Sequence, residues 1–264
     1  MIGLLMVAGE DDILERTLAH NSQWLDAFYV LDGSVDNTES ERICRAHPKC
    51  WAYRQDKDLP RPPYTERTLC GYRKFIHDMA VMDHGFDNWF MVLHADEWWA
   101  QDPHEITRHA GMFDGFIYRL PFFFPREGEP WDHNLHPLDQ LHWNLGPGWP
   151  EFRLFHGNHS VSYQAHQEFN TRPAGIRSVT GAQAPILHYP YRSPEVQRAR
   201  AAQHEVTQFD PENYQHIVRD DGVYWTDAMI AEHMRKPEFG LLNDTRWWHE
   251  GLAFRSFAGA KVTA

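Results

Sequence analysis

Short apolar runs separated by amphipathic stretches fill the first half of the chain. Residues 3–7 predict a strand, and Ile13, Leu14, Thr17 and Leu18 follow at the spacing of one helical face. Residues 27–31 predict a second strand, closed by the polar turn Asp32, Gly33, Ser34, Val35, Asp36, Asn37, and residues 50–53 a third. Beyond a loop bearing Pro60, Pro62 and Pro63, the positions Leu69, Tyr72, Phe75, Ile76 and Met79 mark one buried face of a long helix. Residues 89–93 are apolar throughout, as in a central parallel strand covered on both faces. This alternation predicts an α/β fold: a Rossmann-like, mainly parallel sheet flanked by helices.

The grain changes near residue 113. Residues 115–124 are aromatic and strand-like, whereas 125–150 are dense in Pro, Gly, Trp and His and predict a long ordered loop that shapes a pocket. Residues 152–155, 161–165 and 185–188 predict further short strands. Ser193 followed by Pro194 is a helix start, with the helix running toward Gln208. The tail after Gly251 carries few structural signals. At 264 residues the chain suits one α/β domain with insertions.

Composition narrows the function. No stretch approaches the roughly 18 apolar residues of a membrane span. The odd trio Cys44, Cys50 and Cys70 has neither zinc-site nor disulfide spacing, so a reducing cytoplasmic setting is expected. A formal net charge of -12 opposes binding to nucleic acid or an anionic membrane. The same acidity means that any pyrophosphate ligand needs local positive charge, from a metal ion or from a few placed Arg and Lys side chains. Eighteen histidines are many for this length, but they include no His-Glu-x-x-His helix.

Three stretches carry candidate chemistry. Residues 89–99 form an apolar strand that emits Asp96 and Glu97 where it ends, the place where open α/β sheets bind ligands and where hard cations find carboxylate oxygen. A second strand end offers Asp32, Ser34, Asp36 and Thr38. The third stretch puts the imidazole of His188 and the guanidinium of Arg192 beside a helix start. Each stretch also fits a purely structural role as a turn or cap.

Together these residues resemble glycosyltransferase family 2 and its relatives of the GT-A fold. The resemblance runs over roughly residues 1–200: Val7-Ala8-Gly9-Glu10-Asp11 after the first strand, then the Asp32, Ser34, Asp36, Thr38 turn, then His94-Ala95-Asp96-Glu97 in place of an Asp-x-Asp signature. It continues in Phe152-Arg153-Leu154-Phe155 and in His188-Tyr189-Pro190-Tyr191-Arg192-Ser193. Two positions depart from the family. His94 replaces the first acid of the signature, and His166-Gln167-Glu168 stands where a His-Glu pair is usual.

The resemblance implies a metal-dependent transfer of sugar from a nucleoside-diphosphate-sugar to an acceptor hydroxyl, such as that of a glycan, with inversion. Residues 1–112 would bind nucleotide, 113–250 would form the acceptor side, and 251–264 would be a tail. It implies manganese or magnesium on Asp96 and His188. Donor contacts would come from Ala8, Glu10, Asp32, Ser34, Arg73, Lys74, His94, Ala95, Asp96 and Arg192, and a base from Glu168 or, failing that, His166. Aromatic residues among Phe122, Phe123, Phe124, Trp131, Trp143 and Trp149 could stack on sugar rings. Other readings stay open: a nucleotidyltransferase, a silent nucleotide-sugar-binding protein of the same fold, and a metal-dependent hydrolase built on His133 with His136 or His156 with His159.

Overall fold

The computed structural model describes residues 1–34, 36–55, 57, 69–163, 172–182, 184–192, 196, 225, 227–235 and 241–244. The first half alternates as its apolar pattern dictates: β1 (Ile2–Val7), α1 (Asp11–Asn21), β2 (Ala27–Asp32), α2 (Thr38–Ala46), β3 (Cys50–Gln55), α3 (Leu69–His84) and β4 (Trp89–His94). Then follow β5 (Glu97–Trp99), α4 (Pro103–Arg108), β6 (Gly115–Phe124), α5 (Pro137–Gln140), β7 (Trp143–His156), β8 (Val179–Gly181), β9 (Ile186–His188), α6 (Asp227–His233) and β10 (Leu241–Asp244).

One sheet runs in the order β3-β2-β1-β4-β7-β6-β9-β5, with β10 against β7 and β8 against β6. Among the described residues five strand pairs are parallel and four antiparallel, so the sheet is mixed but mainly parallel, in a Rossmann-like arrangement. The strand order reverses direction at β1, whose neighbours are β2 and β4. A crevice forms beyond the carboxyl ends of strands at such a switch point. The register sets those ends level, with Val7 beside Asp32 and Met6 beside His94.

Period-two alternation divides the inner strands between two cores. Leu5, Val7, Phe28, Val30, Met91 and Leu93 pack on the side of Leu14, Leu18 and Ile43, from α1 and α2. Leu4, Met6, Tyr29, Leu31, Phe90 and Val92 pack on the side of Ile76 and Ala80, from α3. The inner strands are therefore apolar at every position, and polar groups gather at their ends. No helix among the described residues is long and apolar enough to cross a membrane.

Three expectations need correction. Residues 125–150 are not one long loop: α5 interrupts them, and β7 already begins at Trp143, pairing with both β6 and β10. Residues 161–165 show, where described, only an isolated bridge from Ser162 to Ala174. β4 is parallel to β1 on one edge but antiparallel to β7 on the other. The helix start at Ser193 and Pro194 and the tail after Gly251 lie outside the described residues.

Candidate functional site

The turn between β4 and β5 is held from below by one face of α1. Thr17 and Asn21 stand one helical turn apart and so point the same way. Thr17 Oγ1 donates to the Ala95 carbonyl at 2.6 Å, and Asn21 Nδ2 donates to the Glu97 carbonyl at 2.9 Å. The Trp99 amide donates back to Asn21 Oδ1 at 3.2 Å. From the other strands, the Ala95 amide bonds the Met6 carbonyl and the Tyr189 amide bonds the Asp96 carbonyl. The backbone of Asp96 is thus fixed by β1, α1 and the segment after β9.

Antiparallel pairing of β5 with β9 sets His188 opposite Glu97. His188 Nε2 lies 3.6 Å from Asp96 Oδ2. The Arg192 guanidinium is fully buried; its Nη1 is 3.7 Å from Asp96 Oδ2, and its Nε donates to Asp12 Oδ2 at 2.8 Å. Arg192 Nη1 also donates to the Tyr189 carbonyl at 2.9 Å. Burial disfavours the charged imidazole of His188, but the Asp96 carboxylate beside it wins and raises its pKa above the ordinary value.

Glu97 faces inward and is wholly buried. Arg153 Nη2 donates to its Oε1 at 2.6 Å, and the His94 amide donates to its Oε2 at 3.0 Å. Arg153 also pairs with Glu151. Burial works against the Glu97 carboxylate, yet Arg153 and then His94 outweigh it and bring its pKa down to about 2 from an ordinary 4.5. A depressed carboxyl contributes stability that is complete above pH 4.5 and is lost as pH falls toward 2. The size is on the order of 3 kcal/mol. Urea unfolding at pH 6 and pH 3 should show about 2 kcal/mol of that loss in the natural chain, the rest going below pH 3, and a much smaller loss in Glu97→Gln.

At the neighbouring strand ends the groups are laced together. The Gly9 amide donates to Ser34 Oγ at 2.8 Å, the Ser34 amide to Asp32 Oδ1 at 2.8 Å, and Tyr53 Oη to Asp32 Oδ2 at 2.7 Å. The Ala8 amide donates to the Glu10 carboxylate. Asp32 is wholly buried and Glu10 nearly so, which makes them organisers of these loops as the chain stands.

The structure therefore brings His94, Asp96, His188 and Arg192 together, with Ala95 between the first two. One potential ligand atom from each of His94, Asp96 and Glu97 lies within 4.8 Å of the others. Arg73 and Lys74 lie on α3, Arg73 buried and Lys74 Nζ at 2.7 Å from Asp78. Glu168 and His166 lie outside the described residues. The remaining histidine pairs have local duties: His136 Nδ1 accepts from the Leu138 amide at the start of α5, and His156 Nε2 is 3.2 Å from Asp87. Sequence reading missed Asp12 and Asn21, placed Thr17 only on a helical face, and saw Arg153 only as part of a strand motif. An arginine between Phe152 and Leu154 was the available signal, because a cation in an apolar strand needs a buried anion.

No protein-family model matches the chain, and no curated protein sequence does. Among solved structures it is similar to HddC from Yersinia pseudotuberculosis, with 9% identity over 78% of this chain and 100% of that chain and a TM-score of 0.37. It is also similar to 4-diphosphocytidyl-2C-methyl-D-erythritol synthase, with 12% identity over 77% of this chain and 97% of that chain and a TM-score of 0.39. Likenesses this loose bear on neither activity nor substrate.

Proposed function

We propose that the chain is a metal-dependent glycosyltransferase that moves a sugar from a nucleoside-diphosphate-sugar to an acceptor hydroxyl, with inversion. The observation that carries this reading is the meeting of Asp96 and His188, 3.6 Å apart at the mouth of the switch point though far apart in sequence. An aspartate oxygen and an imidazole nitrogen suit a divalent ion such as manganese or magnesium, and Asp96 and His188 would hold it. When bound, such an ion offsets the charge of a diphosphate leaving group. Arg192, already beside Asp96, keeps further positive charge at the same place.

The acceptor oxygen would attack the anomeric carbon as the bond to the diphosphate breaks. Its proton would pass to Glu168, or to His166 in its stead. Residues 1–112 would serve the nucleotide and 113–250 the acceptor, where Trp149, half-exposed on β7, would present a ring to a sugar.

Thermal melting with UDP or GDP, with and without manganese, tests the reading. Nucleotide at about 100 times its Kd stabilises by about 2.7 kcal/mol, a rise of several degrees for a chain of this size. That rise is expected only when manganese is present. A shift with zinc alone, indifferent to nucleotide, would favour a hydrolase; no shift under any condition would remove the transferase reading.

A further inference from the structure

Glu97 clamps residue 94 at two points. Its Oε2 accepts the His94 amide at 3.0 Å, and its Oε1 lies 3.2 Å from His94 Nδ1. The same carboxylate receives the buried guanidinium of Arg153 at 2.6 Å, which keeps it ionised. An ionised carboxylate only accepts hydrogen bonds, so the proton of the neutral imidazole belongs on Nδ1 and a lone pair is left on Nε2. His94 Nε2 is itself buried and has no hydrogen-bond partner among the described residues. A buried acceptor without a partner is destabilising, and a cation would satisfy it. A carboxylate behind one ring nitrogen with a cation before the other is the usual setting of a metal-binding histidine.

We propose that His94 is a metal ligand through Nε2, so that the cation site of this chain is His94, Asp96 and His188 rather than a pair of carboxylates. This rests on the reading that Asp96 and His188 hold a divalent ion. One imidazole nitrogen of His94 and one carboxylate oxygen of Asp96 lie within 4.8 Å of each other, and metal bonds of about 2.1 Å each would draw such a pair closer. Substitution of an imidazole for the first carboxylate of the signature lowers the negative charge of the ligand set by one and adds a second nitrogen. Such a set favours borderline ions, with cobalt above manganese and magnesium weakest.

The test is cobalt uptake followed by its visible absorption, with magnesium affinity measured by competition, all without nucleotide. His94→Ala is expected to weaken cobalt binding at least tenfold and to alter its absorption bands. His94→Asp is expected to raise magnesium affinity relative to cobalt, and Asp96→Ala to lose both ions. Circular dichroism checks that each variant is folded. In the natural chain, which needs no substitution, the His94 Nε2 nitrogen resonance should move on adding zinc. If cobalt affinity and spectrum survive His94→Ala while Asp96→Ala loses them, or the resonance stays in place although zinc binds, His94 is no ligand and the cation reading stands. If the natural chain takes up no cobalt or zinc, both proposals fall.

Discussion

Asp96→Ala is expected to lower the manganese-dependent affinity for UDP or GDP by at least about 100-fold, which corresponds to roughly 2.7 kcal/mol. The carboxylate lies 3.6 Å from His188 and 3.7 Å from Arg192, whereas Asp12 is turned to the Nε side of Arg192, so the change removes the anion that faces His188. The fold should survive. Arg192 keeps its bonds to Asp12 and to the Tyr189 carbonyl, and the backbone bond from the Tyr189 amide to residue 96 does not need the side chain. Calorimetry with and without manganese separates the two contributions. The metal-free affinity should change little, whereas an unaltered manganese-dependent affinity would take Asp96 out of the metal site.

Arg153→Met should have the largest effect on stability. Its guanidinium is buried against Glu97, and methionine fills similar volume without the charge. Removing one partner of a buried pair leaves the other uncompensated, at a cost of about 3–5 kcal/mol. For a chain of this size that is a fall in Tm on the order of 10 °C. The double change Arg153→Met with Glu97→Gln should recover much of the loss, because the stranded charge is gone. Denaturant unfolding of both single variants and the double closes the cycle. A loss below about 1 kcal/mol in Arg153→Met would mean that Glu97 is adequately held by His94 and the backbone amide.

These two residues show what was legible in the sequence. The position of Asp96 beyond β4 was legible because an inner strand, apolar on both faces, has nowhere to put polar groups except its end. The same logic gave β1, β2, β4 and β6 and the buried face of α1. β7 was obscured because Gly146, Pro147, Gly148 and Pro150 break the alternation that marks a strand. β6 tolerates them: Gly148 has φ of 88° and packs so closely that a Cβ there would lie 2.0 Å from the backbone of Leu120. β5 is three residues long and leaves no periodic signal. Glu97 read as a second site acid because its neighbour is one; only the facing Arg153 shows that it points inward. Such pairings join residues dozens of positions apart, and nothing local in the sequence encodes them.

The charge arrangement also bears on how the chain is made. Asp12, Asp96 and Glu97 are synthesised within the first hundred residues, while Arg153, His188 and Arg192, which hold them, come from the second half. Apart from Glu151, which accompanies Arg153, the anions of the cluster are early and the cations late. A nascent chain that has reached only β5 has the carboxylates of Asp96 and Glu97 but neither Arg153 nor Arg192. Like charges side by side resist burial, so closure of the turn between β4 and β5 is expected to follow the emergence of Arg153. On that expectation, the order of synthesis sets the order in which the two halves of the molecule lock.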